Sequence, residues 1–160
     1  MQPVLTGDLD TGTLALFVGF AAAEVVQQSL ADQGFAGLRF AHGYVFQHLV
    51  GGDGPTVGEL APKLGVTQQA ASKAVAELER LGYVERHADP GDARIRRAHL
   101  TRRGQEAVAA ARRAREALEA RLAGRGGKRR LEECRALLAE LLDELGGAPA
   151  VRHREVRPPR

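Results

Sequence analysis

Between residues 12 and 33 (GTLALFVGFAAAEVVQQSLADQ) apolar side chains recur at Leu14, Phe17, Val18, Ala21, Val25 and Leu30. That spacing is close to the 3.6-residue period that gathers them on one helical face, and Gly34 is a plausible stop. A second helix is predicted over 37–50, with Leu38, Ala41, Val45, Phe46 and Leu49 as its apolar positions and Gly51-Gly52 as its end. The elements then become shorter. In PTVGELAPKLGVTQQAASKAVAELERLGYVER, Thr56 followed by Glu59 forms a capping box, and Leu60 and Leu64 supply an apolar face. Pro62 removes one backbone bond from this helix and is expected to kink it. Gly65 ends it, and Thr67 caps a further helix over 68–81, where Ala71, Val75 and Leu78 stand at i, i+4 and i+7 and Gly82 is the stop. Two short helices joined by a glycine-containing turn form a helix-turn-helix.

The period next changes from helical to alternating. Residues 83–87 read as extended, 88–93 carry Asp-Pro-Gly-Asp turn chemistry, and 95–100 read as extended again, with Ala98 and Leu100 on one face. A β-hairpin directly after a helix-turn-helix is a winged helix. Thr101 then caps a long helix to about residue 123, with Val108, Ala111, Leu118 and Leu122 on its apolar side and a break over 124–127. The last helix, 128–145, places Leu131, Cys134, Leu138, Leu141 and Leu145 three and four apart, a packing seam open to the chain's own helices or to a partner's. The expected fold is mainly α with a small β-hairpin wing, in one domain over 1–147. Helices over 12–50 and 101–147 flank the winged helix-turn-helix of 55–100. The stretch 148–160 (APAVRHREVRPPR), rich in Pro and Arg and without period, reads as a disordered basic tail.

Charge sharpens this picture. Residues 1–85 hold 4 Lys/Arg and 9 Asp/Glu, whereas residues 86–160 hold 19 and 11. A basic half within a chain of net charge +3 fits a polyanionic partner. Six of those arginines lie in RHADPGDARIRRAHLTRRG, across and just after the hairpin. The single cysteine excludes an internal disulfide framework and a Cys-rich metal site, and the five histidines show no ligand spacing, so no metal is expected. The apolar stretch from Leu14 to Val26 is short for a bilayer and carries Glu24, so no membrane partner is expected and a reducing cytoplasm is the default location. No GxGxxG after a strand, GxxxxGK[ST], HExxH or GxSxG occurs, so neither an enzyme nor a cofactor is expected.

The second helix of a helix-turn-helix enters the major groove with its N-terminal residues toward the bases. Those residues are Thr67, Gln68, Gln69, Ser72 and Lys73. An amide fork can bond adenine, hydroxyls bond several bases, and Lys73 suits a phosphate. Arg94 at the wing tip suits a narrow minor groove, where the negative potential is strongest. Asp92, two residues earlier, is expected to hold the Arg94 guanidinium. Arg86, Arg96 and Arg97 are phosphate candidates whose facing depends on strand register. A winged helix serving as a protein-interaction module, without specific DNA binding, is the alternative.

The run DARIRRAHLTRRG, with Asp92, Arg94, Leu100, Thr101 and Gly104, resembles the wing signature of the multiple antibiotic resistance regulator (MarR) family. LAPKLGVTQQAASKAVAELERLGYVERHADPGD resembles that family's helix-turn-helix and following strand, and the resemblance spans about residues 34–108. It departs in Pro62 and in Gln68, where an Arg or Lys is common. The resemblance implies a homodimer whose N- and C-terminal helices interlock, making 101–147 dimerisation helices, and which presents two winged helices to a pseudo-palindromic operator. It further implies a repressor released by a small phenolic or aromatic effector, bound between the dimerisation helices and the DNA-binding lobe. By location, Phe17, Arg39, His42, Tyr44 and Phe46 are the pocket candidates, with Arg39 or His42 as partner of a ligand carboxylate. Oxidant-sensing relatives carry a cysteine near the first helix. Cys134 does not match that position and reads as a buried small hydrophobe.

Overall fold

A computed structural model describes residues 5–157. After a single 3-10 turn, Thr6–Asp8, the chain forms seven α-helices and one hairpin among the described residues. These are α1 (Thr11–Asp32), α2 (His42–Leu49), α3 (Val57–Leu64), α4 (Gln68–Arg80), β1 (Val84–Ala88), β2 (Arg96–Leu100), α5 (Arg102–Gly126), α6 (Lys128–Glu144) and α7 (Ala148–Arg152). The fold is the expected one, mostly helical with a two-stranded antiparallel wing.

Side-chain caps mark where several helices begin. Asp10 accepts from the Thr13 amide at the start of α1, and Thr67 and Thr101 accept from the amides of Ala70 and Gly104 at α4 and α5. Thr56 and Glu59 close the capping box of α3 in both directions, at 3.1 and 2.8 Å. Each such cap satisfies donors that the first helical turn leaves free. Gly65, at φ +68°, ends α3 in the left-handed conformation that a Cβ disfavours. α3 continues through Pro62 for two more residues.

Two clusters of buried side chains hold these elements. In the winged lobe, Leu60, Ala71, Val75, Leu78 and Tyr83 are fully buried among Val45, Leu64, Val84 and Ala98. Burying one side chain of the size of Val75 or Leu78 stabilises by roughly 1.5–3 kcal/mol. Tyr83 keeps its hydroxyl satisfied by donating to the Ala36 carbonyl at 2.8 Å. The second cluster joins Val26 and Leu30 of α1 to Ala110 and Ala114 of α5, with Phe35 and Leu38 shared between the two.

Several sequence expectations need correction. The second helix begins at His42 rather than at residue 37, because Gly37 sits at φ +78° with the Leu81 side chain packed against it and cannot continue a right-handed helix. α5 runs through Gly124 and Gly126, so the break falls on Gly127 alone. The tail over 148–157 is ordered: α7 forms, Gln47 Nε2 donates to the Val156 carbonyl at 2.8 Å, and Arg157 donates to the Pro62 carbonyl at 3.1 Å. The rest of that tail, 158–160, lies outside the described residues. Finally, α1 has 22 residues and is long and apolar enough to cross a membrane by length and composition, longer than the stretch read from the sequence.

Little of α1 or α6 is buried within one chain. Leu14, Leu16, Phe17, Val18 and Phe20 on α1 are exposed, as are Leu137, Leu138 and Leu142 on α6 and Leu145 just after it. The packing seam of the last helix is thus real as a pattern but bare. Cys134 on that seam is exposed, against the expectation of burial.

Candidate nucleic-acid interface

The hairpin register decides which wing residues face α4. Val84 pairs with Leu100, Arg86 with Ala98 and Ala88 with Arg96, whereas Glu85 pairs with His99 and His87 with Arg97. Directly opposed residues of an antiparallel pair share a face. Arg86, Ala98 and Arg96 therefore lie on one face, and His99 and Arg97 on the other. Ala98 is buried against the core, and its amide donates to the Pro55 carbonyl, tying β2 to the segment that precedes α3.

An open groove runs between the first turns of α3 and α4 and the wing. Gln68, Gln69, Ser72 and Lys73 line one side, Arg94 and Arg96 the other, with Thr56, Val57 and Gly58 at its floor. Gln68, Gln69 and Lys73 are exposed, and Ser72 is half-buried. Thr67 stands at the helix start, where its hydroxyl oxygen already accepts from the Ala70 amide, and it does not line the groove.

The wing cations divide by their partners. Arg86 makes two bonds to Glu79 Oε2 of α4, from Nε at 2.9 Å and from Nη2 at 2.6 Å, and this hydrogen bonding holds its pKa above the ordinary arginine range. Arg97 pairs with Asp89, donates to the Gly54 carbonyl at 2.9 Å and reaches Glu59 at 3.4 Å. The Arg97 hydrogen bond is the main reason the Asp89 carboxyl lies below its usual range. Arg97, a phosphate candidate, borders the groove and also fastens the turn of the wing to the loop before α3. Arg96 donates to the Arg86 carbonyl at 2.7 Å, leaving its other guanidinium donors outward. Arg94 is exposed at the tip.

Asp92 also differs from expectation. Its Oδ1 accepts from the backbone amide of Arg94 at 2.9 Å rather than from the guanidinium. Together with the bond from the Ile95 amide to the Asp92 carbonyl, this shapes the turn from which Arg94 projects. Asp89 does the same one step earlier, accepting from the amides of Gly91 and Asp92.

A second, more enclosed cavity of about 380 Å³ lies where the two clusters meet, between α1, α2 and α5. Leu30, Leu38, Phe40, Phe46, Val108 and Ala111 form its apolar wall, and Gln27, Arg39, Gln47, Arg112, Arg115 and Arg154 supply its polar groups. Of the five pocket candidates, Arg39 and Phe46 line this cavity and three do not. Phe17 is exposed on α1, Tyr44 packs edge-on against Phe40, and His42 is buried behind Arg39. His42 Nδ1 accepts from the Arg39 amide at 3.1 Å, and burial is the main reason its pKa falls below the ordinary 6.5. Sequence reasoning missed Phe40, Arg112, Arg115 and Arg154. The helical spacing of Val108, Ala111, Arg112 and Arg115 on α5 was the available signal, but it carries no mark of which side α1 and α2 cover.

A helix-turn-helix whose second helix and arginine-tipped wing border one groove defines a class, the winged-helix DNA-binding proteins. Residues 36–95, the helix-turn-helix and most of the wing, match the family model of the MarR family. No curated protein sequence is significantly similar to the chain. The fold resembles that of S. aureus MepR solved in complex with DNA, at 24% identity and a TM-score of 0.67 over 84% of this chain and 98% of that one. It also resembles YusO from Bacillus subtilis, at 21% identity and 0.66 over 82% and 92%. A third likeness is to the transcriptional regulator Tm0710 from Thermotoga maritima, at 25% identity and 0.58 over 89% and 94%. MepR has in addition been solved with bound ethidium bromide, at 22% identity and 0.60 over 87% and 99%. The chain is therefore similar to MarR-family DNA-binding transcriptional regulators in the sequence of its winged-helix segment and in its fold.

Proposed function

We propose that the chain acts as a homodimeric repressor that binds a pseudo-palindromic duplex operator and is released by a small aromatic effector. One observation carries the DNA-reading part: Gln68, Gln69, Ser72 and Lys73 of α4 and Arg94 and Arg96 of the wing border the same groove. In this reading Gln68 and Gln69 address base edges, and Ser72 and Thr67 sit beside them. Lys73 and Arg96 neutralise phosphates, and Arg94 enters the minor groove. Arg97 and Asp92 hold the wing in position.

Dimerisation is supported by the bare apolar faces of α1 and α6, which a second copy would cover. The effector reading is supported by the enclosed, mostly apolar cavity between α1, α2 and α5, whose volume suits a small aromatic molecule. Its charge argues for an anion. Four arginines and no carboxylate are among its described lining residues, the opposite preference from that of the planar cation ethidium found on MepR.

The test is selection of duplexes from random DNA by the wild-type chain and by Arg94→Ala and Gln69→Ala. Arg94→Ala is expected to lower affinity for every selected sequence. Gln69→Ala is expected to relax one position of each half-site, by about 1–3 kcal/mol if a bidentate base contact is lost. Unchanged affinity together with an unchanged consensus in both variants would count against the reading. Affinity should also fall steeply with salt, since phosphate neutralisation releases counterions.

A further inference from the structure

Arg39 belongs to two environments at once. Its side chain lines the cavity between α1, α2 and α5, and its Nη2 donates to Glu77 Oε2 at 2.5 Å. Glu77 stands on α4, the helix whose first turn carries Gln68 and Gln69 into the groove. Among the described residues, Glu77 is the only carboxylate that pairs with Arg39. The Arg39 side chain is 64% exposed and the Glu77 side chain 29%, so the pair is not locked in by burial and an anion entering the cavity can reach the guanidinium. A guanidinium fork matches one carboxylate or sulfonate well, and two anions aimed at it compete.

His42 stands at the junction. Its Nδ1 accepts from the Arg39 amide at 3.1 Å, which puts the imidazole proton on Nε2, 3.6 Å from the same Glu77 oxygen. The charged groups facing His42 are Glu77 on α4 and Arg39 on the loop before α2. The three groups form one small polar cluster between the cavity and α4.

We propose that Arg39 is a positioning residue that reports an apolar anion in the cavity to the recognition helix, by exchanging its ion pair with Glu77 for one with the ligand. This rests on the effector reading above and specifies how occupancy is transmitted. When the ligand draws Arg39 away, α4 loses this ion pair to the loop that frames the cavity, and Glu77 is left facing His42. With the cation withdrawn and the carboxylate remaining, His42 binds a proton more readily. By linkage, DNA-bound protein must then hold the anion less tightly, to the same factor by which the anion weakens DNA binding.

The full chain can be tested with two fluorescent probes that share one ring system, 1-anilinonaphthalene-8-sulfonate and the uncharged N-phenyl-1-naphthylamine, and with a duplex selected by the wild-type protein. In the wild type, saturating sulfonate probe is expected to weaken duplex binding by about tenfold, within the usual range of allosteric coupling. Glu77→Gln removes the competitor without altering the cavity wall. It should bind the sulfonate about threefold more tightly, as expected for release of one partly exposed ion pair. Its affinity for the uncharged probe should not change, and its duplex affinity should no longer respond to the sulfonate. Arg39→Gln should bind the sulfonate more weakly and should likewise lose the response, whereas Glu77→Asp should restore part of it. The imidazole titration of His42, followed by NMR, should move up on addition of the sulfonate in the wild type and stay put in Arg39→Gln, which has no cation to withdraw.

If Glu77→Gln binds the sulfonate as the wild type does and still releases the duplex when it is added, the relay is overturned while the effector reading survives. If the sulfonate binds equally well to Arg112→Ala and Arg115→Ala and leaves duplex affinity untouched in the wild type, the effector reading fails, and the relay with it.

Discussion

At the scale of single residues, partners rather than positions decide roles. Arg94, Arg96 and Arg97 lie within four positions of one another, yet Arg97 alone is bound to Asp89, Gly54 and Glu59. Nothing in the local sequence marks this. Gly54 lies 43 residues away, and the approach of Asp89 follows from hairpin register. The capping pair Thr56 and Glu59 was legible because its partners are three residues apart and the geometry is local. One buried and one half-buried histidine give a prediction at this scale. His42 and His48 both have pKa values lowered mainly by burial, the latter with its Nε2 buried without a partner among the described residues. A folded-state pKa below the unfolded one means that, on acidification, the unfolded chain takes up protons first. Stability is therefore complete above pH 6.5 and declines as pH falls from there toward the lowered folded values. Thermal midpoints measured from pH 7.5 to 5 should show this decline, and His48→Gln should flatten it in part; equal slopes for wild type and variant would contradict it.

Whole elements answer to periodicity and to close approaches. The helix-turn-helix, the wing and the long helix after it appear where apolar spacing and capping residues predict them, with boundaries moved by one or two residues. Larger shifts occurred where glycine acts through tertiary contact or its absence. Gly37, at φ +78°, falls outside the second helix, where an added Cβ would meet Leu81, whereas Gly124 and Gly126 continue α5. Gly104, in the first turn of α5, lies so close to the residue preceding β1 that a Cβ would stand 2.1 Å from the Tyr83 carbonyl oxygen. That oxygen accepts from the Thr101 amide, so neither strand nor helix start can yield cheaply. Gly104→Ala should therefore destabilise the winged lobe by about 1–3 kcal/mol or more, as overpacking does. Urea denaturation would measure it, and a change below a few tenths of a kcal/mol would show that the contact relaxes freely.

For the whole molecule, the exposed apolar faces of α1 and α6 are the largest departure from a self-sufficient monomer. The proposed homodimer covers them, and introducing a charge there should separate the subunits. Phe17→Glu with Leu138→Glu is expected to sediment as a monomer, to retain the helical signal of the winged lobe, and to lose operator affinity by more than tenfold, because each half-site then binds alone. The wild-type footprint should span two half-sites about one helical turn, roughly 34 Å, apart. A double variant that still sediments with the wild type would redirect attention to what else those faces meet, including a bilayer surface. The order of the helices, the winged lobe with its helix-turn-helix and the cationic hairpin were all legible in the chain, because caps, turns and apolar period depend on residues a few positions apart. Which arginines brace the wing, which side chains enclose the cavity, that the tail over 148–157 docks on α2 and α3, and that Arg39 bridges to Glu77 were decided by tertiary structure alone. Those contacts join residues tens of positions apart, and their geometry follows from how helices pack, which no short stretch of sequence encodes.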